Sequence, residues 1–406
     1  MAYCTVAYCS LSEDLGVRIL TFTSLYPSAA QPSQGIFVEN RLRELLRSGA
    51  VESRVICPVP WAPAGSQFLS SYAVYRKIEA RAVRHGISVT YPRYFLIPKF
   101  GMTLAPSMMF LSIYWSVRKL IQDGYDFDLI DAHYFYPDGV AAAMIGRLLN
   151  KPVVITARGT DINLIPAYDL PRRQILWAAE QASGLITVCQ ALKDSLVEMG
   201  VAETKIHALR NGVDLVRFQP QDRMEAREAF GASGKTLLSV GHLIERKGHD
   251  LVIRALPELP DYHLLIAGDG PEREALHRLA EELAVARRVR FLGAVRPENM
   301  ARLYNSGDAL ILASSREGWA NVLLEAMACG TPVVASNVWG TPEVVTSPEA
   351  GVLMQARTAQ GVAQGVRALF ENLPSRDKTR RYAEGFSWDS TTAGQISLFR
   401  EILKNR

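Results

Sequence analysis

Two glutamates eight positions apart flank a loop that leads into a short helix. Glu317 follows the apolar stretch 309–313, and Glu325 lies in a helix predicted from Asn321, its N-cap, to Cys329. A strand that ends in an open loop and feeds a helix directs several free N–H groups at one point, which suits a diphosphate. Carboxylates only accept hydrogen bonds, so these two would bind hydroxyl groups. The pattern indicates a ligand with a central diphosphate and a sugar at each end, although an amphipathic helix with solvated glutamates fits equally well.

A basic loop further upstream could stabilise the charge that develops on a departing diphosphate. Residues 241–248 follow an apolar strand and include His242, Arg246 and Lys247. Negative charge builds on the diphosphate as its bond to the sugar breaks, and cationic side chains beside it lower the barrier. The alternative is a basic turn at the protein surface, so the loop is informative only together with its neighbours.

The glutamate-containing segment belongs to a wider pattern. Residues 317–335, which include Glu317, Asn321 and Glu325, closely resemble the signature of the retaining glycosyltransferases of family 4, which have the GT-B fold. The resemblance extends from about Val17 to the C-terminus. It implies an α/β architecture of two doubly wound, Rossmann-like parallel-sheet domains that face a cleft, with a C-terminal helix that crosses back to the first domain.

By this resemblance, four side chains are expected at the reacting centre. Lys247 and Arg246 would stabilise the departing diphosphate, and Glu317 would bind hydroxyl groups of the donor sugar. His133, which ends a strand in the first half of the chain, would contact the same hydroxyl groups near the reacting carbon. A lone histidine is more often structural, so the role of His133 rests on the resemblance.

The resemblance also predicts a larger set of residues around the nucleotide-sugar donor. Glu325 would bind the ribose, and the backbone near Val295 would contact the base, so no side chain identifies the base. The other expected donor contacts lie in loops after strands or at the start of the predicted helix: Gly35, His242, Gly268, Gly318, Trp319, Ala320, Asn321 and Val322. Gly35 would allow the backbone to approach the donor phosphates or the acceptor closely. For Gly268, a tight turn is an equally good explanation.

Two positions depart from the family pattern. The family has an arginine directly after the first glycine of the basic loop, whereas this chain has His242 there. Either Arg246 supplies the missing guanidinium, or His242 donates a hydrogen bond, as imidazolium when it is protonated. Many relatives have histidine at the position of Arg158, which together with Asp161 is expected on the acceptor side of the cleft.

The order of the predicted elements supports two domains. With 406 residues the chain is too long for one ordinary domain. Strands and helices alternate from Val17 onward, and the alternation restarts after a turn cluster at residues 209–214. We expect an extension at 1–16, an acceptor-side domain at 17–208 that is completed by 387–406, and a nucleotide-sugar-binding domain at 209–386.

Composition and motif context exclude several other classes of protein. The net charge of +4 is too small to indicate a nucleic-acid partner. The five cysteines are scattered and none forms a C-x-x-C pair, so neither a zinc site nor a disulfide framework is predicted. Asp126 and Asp128 match a metal-binding D-x-D motif, but they lie at the start of a strand, which is the wrong end for the cleft. Because lysine and arginine serve the diphosphate, no metal and no cofactor is expected.

One apolar segment raises the question of a bilayer span. Residues 100–117 are uncharged, but glycine, proline and serine interrupt them. This composition favours a buried helix from about Ser107 to Ile121 over a transmembrane helix. The first sixteen residues lack the features of a signal peptide, so a cytoplasmic location is expected.

A second segment bears on contact with a membrane surface. Residues 76–85 predict a helix with Lys77, Arg81 and Arg84 on one face. Aromatic and apolar residues precede it: Phe68, Leu69, Tyr72 and Tyr75. Such a basic face is usually solvated, and the alternative is peripheral contact with anionic lipid headgroups on the inner face of the membrane.

Together these features predict an enzyme, a glycosyltransferase of the hexosyltransferase type. It would move a sugar from a nucleoside diphosphate sugar to an acceptor hydroxyl with retention of anomeric configuration. By resemblance, the acceptor would belong to bacterial exopolysaccharide, cell-wall or lipid-linked glycan synthesis. Two alternatives stay open: a nucleotide-sugar 2-epimerase of the same fold, for which paired general acids and bases are not evident, and a non-catalytic subunit that binds the donor, which the departure at His242 makes conceivable.

Overall fold

The computed structural model describes residues 16–61, 74–95 and 101–405, and it shows two α/β domains built on parallel sheets. This architecture confirms the predicted fold class. Most of the predicted N-terminal extension lies outside the described residues, as do Cys4, Cys9, Phe68, Leu69 and Tyr72.

The first domain is built on a sheet that has eight strands within the described residues. In chain order, the strands of this domain are β1 (Val17–Phe22), β2 (Val51–Ile56), β3 (Val59–Trp61), β4 (Arg81–Arg84), β5 (Ile87–Thr90), β6 (Arg93–Phe95), β7 (Leu129–His133), β8 (Val153–Ala157), β9 (Gly184–Thr187) and β10 (Ile206–Ala208). Strands β3 and β6 pair only with each other, and the other eight form the sheet. Their spatial order is β10-β9-β8-β7-β1-β2-β5-β4, and the pair β4–β5 is antiparallel.

Helices cover both faces of this sheet. They are α1 (Ile36–Arg47), α2 (Gly101–Gln122), α3 (Val140–Leu149), α4 (Thr160–Asn163), α5 (Asp169–Gln181) and α6 (Gln190–Glu198). Successive side chains of a strand point to opposite faces, so Ile19 of β1 packs in the cluster that contains α1, whereas Leu20 packs in the cluster that contains α2, α3 and α5. Burial on both faces explains why a central strand such as β8, which is buried along its whole length, is almost entirely apolar.

The second domain repeats the strand–helix alternation. Its strands in the described residues are β11 (Lys235–Val240), β12 (Tyr262–Ala267), β13 (Val289–Gly293), β14 (Ala309–Leu312), β15 (Val333–Ser336) and β16 (Gly351–Met354), in the spatial order β13-β12-β11-β14-β15-β16. The remaining helices are α7 (Arg223–Phe230), α8 (His249–Ala255), α9 (Arg273–Glu282), α10 (Met300–Ser306), α11 (Asn321–Ala328), α12 (Thr341–Val344), α13 (Ala359–Glu371), α14 (Arg376–Glu384) and α15 (Asp389–Lys404).

The strand order locates a crevice in each domain. In the first sheet β1 lies between β2 and β7, and in the second β11 lies between β12 and β14, so the winding direction reverses at these strands. At such a reversal, the loops that follow the two neighbouring strands separate and leave a crevice at the carboxyl ends. The loops after β11 and β14 are the basic loop and the loop that contains Glu317.

The C-terminal helix α15 crosses back to the first domain, as expected. Leu398 and Phe399 of α15 are buried in the same cluster as α1. Gln395 of α15 accepts a hydrogen bond from Nε of Arg41 in α1, at 2.9 Å. The apolar face of α15 therefore completes the core of the first domain.

The helix predicted at residues 76–85 is wrong, because residues 78–80 are not helical and residues 81–84 form β4. A tight turn at His85 and Gly86, both with positive φ, joins β4 to β5 in a hairpin. Arg84 pairs with the buried carboxylate of Glu39 in α1, with Nε 2.7 Å from Oε1. Arg81 and Arg84 therefore do not belong to a basic helical face, and Arg84 serves the interior of the domain.

Helix α2 contains the helix that was predicted from Ser107 to Ile121. Met109, Ile113 and Val117 are fully buried, which places one face of α2 in the core. None of the helices in the described part of the chain combines the length and apolar composition that a bilayer span requires.

Candidate functional site

Two neighbouring cavities lie between the domains and meet at the start of α11. The larger has a volume of about 460 Å³ and the smaller a volume of about 380 Å³. Both are lined by Phe37 of α1 and by Asn321 and Val322 of α11. The first N–H groups of a helix have no partner within the helix. Here those of Asn321 and Leu323 donate to the carbonyl oxygens of Trp319 and Ala320, at 3.1 and 3.0 Å, which leaves the N–H of Val322 at this shared boundary for an anion. Helix α11 begins at Asn321 with Ala320 as its N-cap, so the predicted cap is displaced by one residue.

The larger cavity combines apolar walls with the half-buried carboxylate of Glu325. Its lining residues come from α1, from the inter-domain segment that joins β10 to α7, and from the second domain. Several expected donor contacts are among them: His242, Gly268, Val295 and Glu325. Tyr304 donates a hydrogen bond from its hydroxyl to Oε2 of Glu325 at 2.7 Å. Burial raises the pKa of Glu325, while the bond from Tyr304 acts in the opposite direction. The second carboxylate oxygen of Glu325 can accept a hydrogen bond from a hydroxyl group of a ligand.

The basic loop enters the larger cavity through His242 and the smaller one through Arg246 and Lys247. Nδ1 of His242 lies 2.5 Å from the carbonyl oxygen of Asp269, so it carries the ring proton and donates it there. Gly268 packs directly on this loop, because a Cβ at its position would lie 1.8 Å from the carbonyl oxygen of Gly241. Close packing of two backbone segments explains Gly268 without a ligand.

The smaller cavity holds a close cluster of charges. Nζ of Lys247 lies 2.6 Å from Oε1 of Glu317, and Nη1 of Arg246 lies 3.7 Å from Oε2. Arg246 also donates from Nη1 to the carbonyl oxygen of Arg316, at 2.7 Å. Burial acts to raise the pKa of Glu317, but the charge and hydrogen bond of Lys247, the hydrogen bond of Ser314 and the charge of Arg246 together outweigh it and lower the pKa. Glu317 is therefore an ionised acceptor, held beside the cations that the sequence predicted.

The Glu317 loop touches the first domain directly. A Cβ on Gly318 would lie 1.9 Å from the carbonyl oxygen of Arg158, so only glycine fits at this contact. The next two residues, Trp319 and Ala320, are buried and line the smaller cavity. The guanidinium of Arg210 lies over the ring of Trp319, 5.8 Å from its centroid. These contacts close the cleft on the side of the smaller cavity.

His133 lies behind the wall of the cavity. It is 1% exposed, and its Nε2 lies 3.2 Å from Oδ2 of Asp131, so the proton on Nε2 is donated to the carboxylate. Its Nδ1 accepts from Nη2 of Arg158 at 2.8 Å. Burial lowers the pKa of His133, and the negative charge of Asp131 opposes this shift only in part. The ring is therefore neutral. Arg158 lines the smaller cavity, whereas His133 lines neither of the two cavities.

Two other predicted residues also have structural contacts. The carboxylate of Asp161 accepts from the backbone N–H groups of Phe135 and Gly159, at 2.6 and 2.7 Å, and so orders the loop after β8. Gly35 has a φ of 67°, and a Cβ there would lie 2.1 Å from the carbonyl oxygen of Leu25. Gly35 and Asp161 line neither of the two cavities.

The structure adds residues that were not predicted as part of the site. Phe37 lines both cavities, Tyr304 holds Glu325, and Arg316 lines the smaller cavity. Asn211 accepts from Nη1 of Arg158 at 3.2 Å and donates to Oδ1 of Asn321 at 3.3 Å, so it joins the two domains. Its position in the turn cluster at the domain boundary was the one available sequence signal. Tyr304 and Phe37 come from helices that only the tertiary fold brings to the cleft.

The D-x-D pair lies away from these cavities. Asp126 is 60% exposed at its side chain and pairs with Lys151 at 2.7 Å. Asp128 accepts from the backbone N–H of Arg18 at 2.7 Å. Both precede β7, at the end of the sheet opposite the cleft, as the sequence predicts.

Comparison with known proteins agrees with this geometry. The family described as Glycosyltransferase Family 4 matches residues 34–217, and the family described as Glycosyl transferases group 1 matches residues 220–386. TuaC of Bacillus subtilis, a glycosyltransferase named for teichuronic acid biosynthesis, is 29% identical over 360 residues, which cover 86% of this chain and 88% of that protein.

Solved structures share the fold across nearly the whole chain. Sucrose-phosphate synthase from Thermosynechococcus elongatus superimposes with a TM-score of 0.77 at 19% identity, covering 96% of this chain and 100% of that chain. Anabaena HepE in complex with UDP-glucose superimposes with a TM-score of 0.69 at 20% identity, covering 96% of this chain and 99% of that chain. Because the two family matches together span most of the chain and the fold agrees, the chain belongs to glycosyltransferase family 4 and is a glycosyltransferase of the GT-B fold.

Proposed function

We propose that the enzyme transfers a sugar from a nucleoside diphosphate sugar to an acceptor hydroxyl with retention of anomeric configuration. The observation that carries the proposal is that the two cavities meet at Asn321 and Val322. A donor with its nucleoside in the larger cavity and its sugar in the smaller one has its diphosphate at the start of α11. The N–H of Asn321 already donates to the carbonyl of Trp319 and that of Leu323 to the carbonyl of Ala320, so the N–H of Val322 is the one in this first turn that binds a phosphate oxygen.

In this arrangement each end of the donor meets an acidic side chain. Glu325, in the larger cavity, accepts hydrogen bonds from the ribose hydroxyl groups. Glu317, in the smaller cavity, accepts from hydroxyl groups of the donor sugar, because its ionised oxygens are strong acceptors. Ala294 and Val295 line the larger cavity, and their backbone contacts the base.

Lys247 is the main cation for the leaving diphosphate. Its ammonium group lies in the smaller cavity beside Glu317, and a diphosphate at the start of α11 lies within the same space. Arg246 supports it from the same turn, although its Nη1 is engaged by the carbonyl of Arg316. His242 uses Nδ1–H on a carbonyl group, so only its Nε2 faces a ligand, and it donates there only as imidazolium. His242 therefore contributes less than a guanidinium at this position would.

The chemistry follows from charge on the leaving group. As the bond between sugar and diphosphate breaks, Lys247, Arg246 and the N–H of Val322 stabilise the negative charge. The departing diphosphate takes the proton of the acceptor hydroxyl, and the acceptor oxygen attacks the face that the diphosphate leaves. Attack on that face retains the anomeric configuration, and the step requires no protein nucleophile.

The donor class is tested by a thermal-shift panel. HepE, which shares the fold, has been solved with UDP and UDP-glucose, so UDP-sugars come first, followed by GDP- and ADP-sugars. A donor that binds raises the melting temperature, because it binds only the folded state. Transfer of a labelled sugar to an acceptor extract then separates the enzyme from its alternatives. Release of nucleoside diphosphate without sugar transfer would indicate a 2-epimerase, and binding without any turnover would indicate a non-catalytic subunit.

We also propose a cytoplasmic enzyme of bacterial surface-glycan synthesis that contacts anionic lipid through α2. Leu111 and Trp115 of α2 are 58% and 70% exposed, and the exposed cations Arg118 and Lys119 follow within one turn. Tryptophan beside basic residues is typical of surfaces that rest on lipid headgroups. This surface replaces the basic helix predicted at residues 76–85, and it suits an acceptor that is linked to a lipid.

A further inference from the structure

The smaller cavity carries more positive charge than a diphosphate requires. Four cationic side chains line it, Arg158, Arg246, Lys247 and Arg316, against the single carboxylate of Glu317, which leaves three positive charges. The diphosphate of a nucleotide sugar carries about two negative charges, roughly one for each phosphate group. Arg246, Lys247 and Arg316 belong to the second domain, where the start of α11 also lies. The excess charge is therefore on Arg158, in the first domain.

Buried N–H groups without partners line the same cavity. Within the described residues, Nε of Arg158, Nε of Arg316 and Nε1 of Trp319 are buried and have no hydrogen-bond partner. Arg158 is 8% exposed and Trp319 is 6% exposed, so water reaches them poorly. A buried donor without a partner retains its cost of desolvation, and a ligand that accepts from it removes that cost.

The guanidinium of Arg158 is held in a fixed orientation. Nη2 donates to His133 at 2.8 Å, Nη1 donates to Asn211 at 3.2 Å, and the guanidinium lies 5.4 Å from the ring centroid of Phe37. His133 is itself held by Asp131. These contacts use one N–H of each Nη group and leave Nε–H without a partner, so the guanidinium is oriented before a ligand binds.

The surroundings of Arg158 favour an anionic ligand over a neutral one. Burial lowers its pKa to about 9, and the buried Arg41 acts in the same direction, while Asp131 and Asp161 oppose it. Within the described residues, no carboxylate forms an ion pair with Arg158, because Asp161 accepts from backbone N–H groups and Asp131 pairs with His133. A buried guanidinium that lacks an ion-pair partner gains most from a ligand carboxylate.

We propose that Arg158 binds a carboxylate carried by a sugar substrate in the smaller cavity, and thereby determines which substrates the enzyme accepts. The inference rests on the proposed function, because it takes the smaller cavity as the sugar side of the cleft. The carboxylate comes either from the transferred sugar of the donor, as in a nucleoside diphosphate uronic acid, or from the terminal sugar of the acceptor. Both sources present the same chemistry to Arg158, and the two arms of the experiment separate them.

The donor arm is calorimetry with matched ligands. The probes are UDP, UDP-glucose and UDP-glucuronic acid, and the corresponding set GDP, GDP-mannose and GDP-mannuronic acid. The proteins are wild type, Arg158→Gln, Arg158→Lys and the control Arg254→Gln, whose side chain is 52% exposed on α8. If the carboxylate is on the donor, wild type should bind the nucleotide uronic acid at least about tenfold more tightly than the matching neutral nucleotide sugar. Arg158→Gln then loses this preference but binds the bare diphosphate within about twofold of wild type, and Arg158→Lys retains part of it.

The acceptor arm uses methyl glucuronoside and methyl glucoside as competitors of sugar transfer. A carboxylate on the acceptor predicts that wild type is inhibited at about tenfold lower concentration by the glucuronoside, and that Arg158→Gln does not distinguish the two. Partial rescue by Arg158→Lys separates a lost charge from a folding defect, because a folding defect reduces binding of every probe equally.

Two results overturn the inference. In the first, Arg158→Gln loses as much affinity for the bare nucleoside diphosphate as it loses for the nucleotide sugars. This result would make Arg158 a phosphate ligand. The other is the absence of any carboxylate preference in both arms. A wild-type protein that binds no nucleoside diphosphate contradicts the proposed function itself, and that result is distinguishable because the bare diphosphates are in the panel.

Discussion

Nζ of Lys247 lies 2.6 Å from Oε1 of Glu317, across a loop–loop contact between the carboxyl ends of β11 and β14. The pair holds a cation and an anion in one cavity, and Glu317 stays ionised there because Lys247 lowers its pKa. The cation is then available to a departing diphosphate and the anion to sugar hydroxyl groups. A nucleotide sugar has an anionic diphosphate and a neutral sugar rich in hydroxyl groups, so the cation and the anion of this pair each suit one part of the same ligand.

Replacing the cation tests the leaving-group role. Lys247→Met is expected to lower kcat by about 10²–10³-fold, since it removes a charge that acts mainly in the transition state. The matched control is Lys404→Met, at the exposed end of α15, which should keep wild-type turnover. Initial rates of sugar transfer measure the effect, and unchanged turnover in Lys247→Met would refute the assignment.

Replacing the anion tests the sugar contact separately from the diphosphate contact. Glu317→Gln keeps an acceptor for Lys247 but weakens the bonds to the sugar hydroxyl groups, so kcat/KM should fall by about tenfold or more. The Kd of the bare nucleoside diphosphate should stay within about twofold, because that ligand lacks the sugar. Calorimetry compares the two ligands. Equal losses for both would assign Glu317 to the diphosphate instead.

The ribose contact of Glu325 predicts discrimination between ribose and deoxyribose. Wild type should bind a ribonucleoside diphosphate about tenfold more tightly than the 2′,3′-dideoxy form, because the hydroxyl groups donate to the half-buried carboxylate of Glu325. Glu325→Gln should largely remove the difference. Tyr304→Phe serves as the matched variant, since it frees the carboxylate without replacing it. Equal affinity of wild type for both forms would contradict the assignment.

The buried His133 predicts a stability that depends on pH. Its pKa in the folded state is below 6.5, mainly because of burial, so the folded state binds fewer protons than the unfolded state as the pH falls. Stability is therefore fully present above 6.5 and is lost as the pH falls toward the lowered value. His133→Gln removes this titration, and its melting temperature should fall less than that of wild type between about pH 7 and 5. Parallel melting curves would show that His133 does not titrate in this way.

The lipid contact of α2 is tested by vesicle flotation. Trp115→Ser should reduce flotation with vesicles that contain anionic lipid, because the ring is 70% exposed beside basic residues. Val216→Ser, at a residue that is 82% exposed in the inter-domain segment, is the matched control and should float as wild type does. Flotation that is independent of anionic lipid, or equal in both variants, would remove the membrane proposal.

Local patterns were sufficient for the repeated architecture and for the second-domain half of the site. Strand–helix alternation indicates parallel sheets, whose carboxyl ends carry the binding loops, and the resemblance to family 4 then assigned roles to Lys247, Glu317 and Glu325 in those segments. Lys247 and Glu317 lie in loops directly after their strands, and Glu325 lies one turn into the helix that follows. Short-range sequence order fixes such placements.

Contacts between distant segments were not predictable in this way. Arg81 and Arg84 have helical spacing, but the turn at His85 and Gly86 and the buried Glu39 of α1 select a strand. His133 ends a strand at the cleft, yet Arg158 of the next strand covers it and takes its place in the wall. Which of two neighbouring polar side chains reaches a cavity depends on packing, about which a single sequence carries little information.

The most direct test is a crystal structure with a nucleoside diphosphate sugar or an analogue that resists transfer. The diphosphate is expected at the start of α11, with oxygen atoms within hydrogen-bond distance of the N–H group of Val322 and of Nζ of Lys247. The nucleoside should occupy the cavity that contains Glu325, and the sugar the cavity that contains Glu317. A diphosphate bound elsewhere, with Lys247 still paired only to Glu317, would contradict the account.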